Sequence, residues 1–232
     1  PDPDMFVHVV EKRDDGIVVR GCKMHMTGMV NSHYMLIMPT SAFGAEDADY
    51  CVSCAIPVDA PGVFHIFGRQ TNDGRKYEGE IDQGNARFGV VGGECMTILD
   101  DVFVPWDRVF MCGEYQFSGM MVERFACYHR QNYGGCKAGV SDIVVGAAAT
   151  LADMSGYSKA AHIKDKLNQM MHLTETLWCC ALACSAEGKP TACGSYFVDP
   201  LLANVDKHNV TSMIYEIDRL AQDVGGGLLA TI

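Results

Sequence analysis

MMVERFACYHRQNYGGCKAGVSDIVVGAAATLADM, residues 120–154, decides the fold. Apolar residues recur through it at helical spacing, and the pair Gly134-Gly135 predicts an interruption partway along. A second helix is expected from about Ser158 to Glu187, ended by Gly188 and Pro190. A third begins with Asp199 as N-cap and Pro200 at the first helical position, runs to Asp223, and stops at the glycine run 225–227. Upstream of Ser118 the pattern changes. VHVVEKRDDGIVVRG (7–21) sets Asp15-Gly16 between two alternating strands, a hairpin signature. HYMLIMPT (33–40), YCVSCAIPV (50–58), VFHIFGR (63–69) and CMTILDDVFVP (95–105) are further strands, punctuated by Pro39, Pro57, Pro61 and Pro105. The class is α+β: a β domain over 1–117, then a helical bundle over 118–232.

The 232 residues are 48% hydrophobic and 20% charged, enough to bury a substantial core. Against 29 Asp+Glu stand 18 Lys+Arg, a net charge of −11 that disfavours nucleic acid and anionic lipid as partners. No apolar run reaches the length of a membrane span and the first twenty residues hold no signal-peptide core, so a cytoplasmic protein is expected. Eleven cysteines, an odd number scattered through apolar stretches, read as packing thiols in a reducing compartment. Cys51 and Cys54 form a lone CxxC without a second pair, again packing. The chain opens on Pro1 and closes on GGGLLATI inside an apolar stretch, which reads as part of a longer polypeptide.

Chemistry is concentrated in CYHRQNYGGCKAG, 127–139. On a helix His129 and Cys136 share a face but stand two turns, about 10.5 Å, apart, too far to grip one metal ion. An iron–sulfur cluster, several ångströms wide with separate corners, suits that spacing better. On spacing alone, packed or solvated side chains remain the commoner explanation of such a pair. Tyr133 and Lys137 crowd the same turns, as in an active site, although a surface helix with a snorkelling lysine looks similar. In GCKMHMTGMVNS (21–32) a strand gives way at Thr27-Gly28; a flavin edge would be met by such a hydroxyl and backbone amides, and so would an ordinary turn. Glu94, among glycines and apolar residues, is a carboxylate that desolvation could bring into general-base range, although most such residues merely sit at turns. QDVGGG (222–227) follows a helix, so it is a C-cap or a close backbone approach and not a Rossmann fingerprint.

Together HRQNYGGCK, KMHMTG, VFVPWDRVF and QDVGGG resemble the 4-hydroxybutyryl-CoA dehydratase/vinylacetyl-CoA isomerase family of the acyl-CoA dehydrogenase-like superfamily, over essentially the whole chain. The resemblance implies a helical N-terminal domain absent here, a β-barrel-like middle domain and a C-terminal α-helical bundle, assembled as a homotetramer with FAD and a [4Fe–4S] cluster. It implies radical dehydration of 4-hydroxybutyryl-CoA to crotonyl-CoA, with vinylacetyl-CoA isomerisation. His129 and Cys136 would be two cluster ligands, the other two being cysteines of the N-terminal domain, so these 232 residues alone would be inactive. His129 would double as a base, Glu94 and Tyr133 would move protons or orient the acyl-CoA, and Lys137 would support charge near the cluster. His25, Met26, Thr27, Gln222, Gly225 and Gly226 would contact flavin.

Three other readings share the scaffold. A flavin-dependent aromatic hydroxylase of the 4-hydroxyphenylacetate 3-monooxygenase type would be endangered by a cluster beside reduced flavin. An acyl-CoA dehydrogenase leaves the His/Cys pair unexplained. An interaction domain needs neither cofactor.

Overall fold

The structure, a computed structural model, describes residues 2–68 and 94–230 and divides into two compact units, Pro1–Val122 and Glu123–Ile232. Arg69, at the end of one expected strand, and Gly92-Gly93 before Glu94 lie outside the described residues.

The first unit is built on β1 (His8–Lys12), β2 (Gly16–Lys23), β3 (Tyr34–Ile37), β4 (Val52–Pro57), β5 (Val63–Gly68), β6 (Glu94–Pro105) and β7 (Val109–Cys112). They form two antiparallel sheets, ordered β1-β2-β6-β5 and β3-β4-β7. Ile17, Val19, Leu99 and Val102 of the first sheet share one core with Met35, Ile37, Val52 and Ile56 of the second, all at most 1% exposed. Each such burial is worth roughly 1.5–3 kcal/mol. Among the described residues neither sheet closes, so the expected barrel-like domain is two open sheets over a common core. Cys51 and Cys54 are buried in it, and burial pushes the Cys54 thiol up to about 12, which makes it inert packing as expected.

The first hairpin forms, but Gly16 is not its turn. Arg13 N–H donates to the Gly16 carbonyl at 2.8 Å across a loop of 13–15, and Gly16 already belongs to β2. A Cβ there would lie 2.3 Å from the Val104 carbonyl oxygen and 2.7 Å from the Phe103 ring, so close approach of β6 demands the glycine. Further along, the pairing of β2 with β6 slips between Val19↔Val102 and Gly21↔Leu99. Arg20 and Asp101, the latter at φ 53°, occupy that bulge and pair through two hydrogen bonds of 2.8 Å.

The helices are α1 (Ser118–Met154), α2 (Ala161–Ala186) and α3 (Pro200–Gly225), with a small hairpin β8 (Lys189–Pro190)–β9 (Tyr196–Phe197) before α3. Ser118 starts α1 within the first unit, its Oγ accepting from Phe43 N–H at 3.0 Å and donating to the Tyr115 carbonyl at 2.7 Å. The helix then runs unbroken through Gly134-Gly135, contrary to the expected interruption. Each mid-helix glycine costs about 1 kcal/mol against alanine, a penalty that tertiary packing overrides.

The second unit supplies that packing. Cys127, Gly134, Ala138, Ser141, Ala148 and Ala152 form a buried seam of small residues at helical spacing along α1. Larger side chains pack against it: Met170 and Leu177 from α2, and Val210 and Ile217 from α3. Asp199 Oδ1 accepts from Leu202 N–H at 2.8 Å and Pro200 fills the first helical position, the start expected for α3. Composition underrated α1 in one respect: the helical stretch Tyr115–Met154, with a window of mean hydropathy 1.2, is long and apolar enough to cross a bilayer. The seam is also what the core helix of a folded unit requires, so length and composition alone assign no membrane role.

Candidate functional site

Two groups of side chains, one in each unit, carry the residues singled out by the sequence. In the first unit β2 ends at Lys23 opposite Thr97 of β6, which brings the chain beyond Lys23 beside the start of β6. Met26 N–H donates to the Cys95 carbonyl at 3.0 Å, and Cys95 Sγ donates to the Met26 carbonyl at 3.4 Å. Met26 is therefore occupied on its backbone, and its side chain packs against the core. His25 and Thr27 are exposed on either side of it. His25 takes φ 59°, a left-handed conformation uncommon outside glycine, so the bend is held by its surroundings. Thr27 Oγ1 donates to Glu94 Oε1 at 2.5 Å. The two candidates thus form one unit, although Glu94 is exposed and not desolvated as expected. Lys23, which the sequence reading passed over, anchors the strand end by donating to the Met38 carbonyl at 2.7 Å and Thr40 Oγ1 at 3.0 Å; burial lowers its ammonium below the usual range.

In the second unit His129, Tyr133, Cys136 and Lys137 lie within about a third of the circumference of α1. His129 and Cys136 are exposed, while Tyr133 and Lys137 are half-buried. The His129 ring stacks on Phe125 at 5.7 Å between centroids and tilts against Tyr133 at 5.1 Å. Two ammonium groups approach the Tyr133 ring, Lys137 Nζ at 5.2 Å and Lys207 Nζ at 4.1 Å from its centroid. Beneath this face Asp206 of α3 is fully buried and accepts the Gly134 N–H on Oδ2 at 3.1 Å, while its Oδ1 has no partner among the described residues. Burial pushes that carboxyl up to about 6, opposed by the Gly134 hydrogen bond. A Cβ at 134 would stand 2.4 Å from both carboxylate oxygens, which explains the glycine. Among the described residues no three His, Cys, Asp or Glu side chains gather as a metal site.

The glycine turn ends α3. Gly226, at φ 55°, donates its N–H to the Gln222 carbonyl, and Gly225 is buried where a Cβ would meet Leu229 at 2.8 Å. Tyr157 OH donates to the Val224 carbonyl at 3.0 Å and Lys166 pairs with Asp223 at 2.7 Å, so the turn is fixed. Gln222 is exposed beside an apolar cleft of about 350 Å³ lined by Ile143, Leu151 and Leu229.

Asp206 and Lys207 escaped the sequence reading, yet one signal was available. Asp206 falls on the apolar stripe Ala203, Val210, Ile217, Leu220 and Val224, a carboxylate at a core position. Lys207 carried no such mark.

Residues 1–111 match the family model described as 4-hydroxyphenylacetate 3-hydroxylase N terminal, and residues 118–232 the one described as 4-hydroxyphenylacetate 3-hydroxylase C terminal. The chain is 60% identical over 233 positions to 4-hydroxybutyryl-CoA dehydratase/vinylacetyl-CoA-Delta-isomerase of Clostridium aminobutyricum, an alignment covering all of this chain and 47% of that one. An oxygen-tolerant archaeal 4-hydroxybutyryl-CoA dehydratase from N. maritimus matches with a TM-score of 0.94 at 51% identity, over 100% of this chain and 46% of that one. The oxygenase component of 4-hydroxyphenylacetate 3-monooxygenase, solved with FAD and 4-hydroxyphenylacetate, shares the fold at a TM-score of 0.85 and 24% identity, over 100% and 48% of the two chains. The chain spans about half the length of the curated relatives it matches. With both halves matched, the chain belongs to the 4-hydroxyphenylacetate 3-hydroxylase family, and within it is similar to the 4-hydroxybutyryl-CoA dehydratases at 51–60% identity.

Proposed function

We propose that the chain is the β and C-terminal helical part of an FAD- and [4Fe–4S]-dependent hydro-lyase that dehydrates 4-hydroxybutyryl-CoA to crotonyl-CoA and isomerises vinylacetyl-CoA, working as a homotetramer. One observation carries the reading: His129, Tyr133, Cys136 and Lys137 share one face of an unbroken helix, with imidazole and thiol exposed. Positions 129 and 136 stand about 10.5 Å apart along the axis, a spacing that suits two corners of a polynuclear cluster better than a single ion. Two ligands are too few for a cubane, so the remaining corners are assigned to residues beyond this chain.

When bound, flavin supplies a one-electron partner and the cluster a Lewis-acidic iron, the chemistry needed to lose an unactivated β-hydrogen and a poor leaving group. This chain's own groups then have distinct tasks. Glu94, held by Thr27 at 2.5 Å, is the carboxylate that moves a proton at the acyl chain. Thr27 spends its hydroxyl hydrogen on Glu94 and keeps lone pairs to accept from the flavin edge. Tyr133, approached by two ammonium groups, orients the substrate or relays a proton through its phenol, and His129 would hold the cluster, its imidazole being available as a base only when not bound to iron. His25 in the first unit and Gln222, Gly225 and Gly226 in the second are each assigned to flavin contact, and Met26, its backbone spent on Cys95, supports the bend that presents His25 and Thr27.

The test is anaerobic purification of the whole protein with iron, sulfide and flavin analysis, alone and with His129→Ala or Cys136→Ala. About four irons and one FAD per chain, with iron lost in both variants, supports the reading. Flavin without iron would move the protein to the aromatic hydroxylase branch, whose name both matching family models bear.

A further inference from the structure

Between the two proposed donors, α1 is held at Arg130, Gln131, Tyr133 and Gly134. Arg130 Nη1 donates to Asn204 Oδ1 at 2.6 Å, and Gln131 Nε2 to Ser185 Oγ at 2.9 Å. Tyr133 lies under Lys207 at 4.1 Å, and Gly134 N–H meets Asp206 at 3.1 Å. Four of the inner letters of HRQNYGGCK are thus spent on α2 and α3, and His129 and Cys136 are left exposed.

The Asp206 contact is the costly one. It combines a glycine inside a long helix, a carboxyl taken wholly out of water and an oxygen without a partner among the described residues. An alanine at 134 facing an apolar residue at 206 would avoid all three penalties. Local rules broken together at one point mark a geometric requirement, because stability alone favours the apolar pair. A side chain taking a mid-helix N–H also competes with the backbone ladder, and so sets the local rotation of the helix.

We infer that Asp206 and Lys207 of α3 are positioning residues, which grip the adjacent pair Tyr133-Gly134 of α1 and fix the rotation and spacing of His129 and Cys136. The inference rests on the cluster reading for its purpose, but the grip is testable without it.

Three forms of the whole protein are compared with the parent: Asp206→Ala combined with Gly134→Ala, Asp206→Asn, and Lys207→Met. The paired alanines remove the acceptor and fill its space; the asparagine keeps an acceptor for Gly134 N–H. Two readouts are taken, the iron content with the electron paramagnetic resonance signature of the purified protein, and the site-resolved alkylation rate of Cys136 in metal-free protein. Far-UV circular dichroism controls for folding.

The paired alanines should fold, lose at least half of the iron or change its signature, and change the Cys136 rate several-fold. Asp206→Asn should stay near the parent. Parental iron, signature and Cys136 rate in the paired alanines would overturn the inference. If the paired alanines fail to fold, Lys207→Met decides on the same readouts: a changed signature or Cys136 rate supports the grip, and parental values overturn it. A parent without iron would sink the cluster reading alone, and the Cys136 rates would still decide the grip.

Discussion

Thr27 and Glu94, separated by 67 residues of chain, meet at 2.5 Å because the continuation of β2 runs back beside the first residue of β6. Neither residue is functional-looking by itself, one a turn threonine and the other an exposed strand-end carboxylate. Joined, they make a carboxylate whose orientation is set by a second element.

The pair has a consequence for turnover. Glu94→Gln in the whole protein should lower dehydration by roughly 100-fold or more, the usual loss for a proton-transfer group, with unchanged circular dichroism because the side chain is exposed. Thr27→Val should lose less, and the double variant should lose less than the product of the two single losses. Independent, multiplying losses would mean that the hydrogen bond does not couple them.

Asp206 makes stability depend on pH in a defined sense. Its carboxyl titrates near 3.8 when exposed and burial pushes it up to about 6, so the native state binds that proton more tightly than the unfolded state. Its contribution is most favourable below about pH 4, declines as pH rises through about 6, and is level above that. Exposed carboxylates paired with arginine or lysine, such as Asp101 and Asp223, are lowered and act in the opposite sense. The measurement is therefore a difference: urea denaturation of the parent and of Asp206→Asn at about pH 4.5 and about pH 7.5, with the parent losing more stability on going up. Equal pH dependence in both would contradict the burial account.

Glycines of this chain should respond oppositely to alanine. At Gly16 the new Cβ meets the Val104 backbone at 2.3 Å, so Gly16→Ala should destabilise by about 1–3 kcal/mol. At Gly146, mid-helix with nothing within 4 Å, Gly146→Ala should stabilise by about 0.5–1 kcal/mol. Thermal melts of both variants decide it, and two shifts of the same sign would refute the close-approach argument.

Cys193, at the exposed tip of the β8–β9 hairpin, lies within hydrogen-bond distance of the hydroxyls of Ser195 at 3.3 Å and Thr191 at 3.1 Å, contacts that lower its thiol to about 6. At neutral pH it should be largely thiolate and should react with iodoacetamide ahead of the other exposed cysteines, Cys136 and Cys179. Site-resolved mass spectrometry over a pH series should give a midpoint near 6 for Cys193. A midpoint in the ordinary thiol range would show that the hydroxyls do not hold it.

Much of the fold was legible because its signals are local. The Asp199-Pro200 start of α3, the four strands between Tyr34 and Pro105, and the packing role of Cys51 and Cys54 all follow from short stretches of chain. What failed had distant causes. Gly134-Gly135 reads as a break only until Asp206, 72 residues away, is seen beneath it, and Gly16 reads as a turn until Val104 is seen above it. The candidate site divides the same way: the helix face bearing His129, Tyr133, Cys136 and Lys137 is visible in spacing, whereas the Thr27–Glu94 bond and the Lys207 contact require the folded chain.

The seam of small residues along α1 has an evolutionary reading. Packing is written on Cys127, Gly134, Ala138, Ser141, Ala148 and Ala152, and the two proposed ligands, His129 and Cys136, on exposed letters of the same helix. A lineage could exchange imidazole and thiol for other groups without disturbing the bundle, or drift in its seam without touching the reagents. One rod then serves as a socket with interchangeable fittings, which is how relatives named for oxygen insertion and for water removal can share a single architecture.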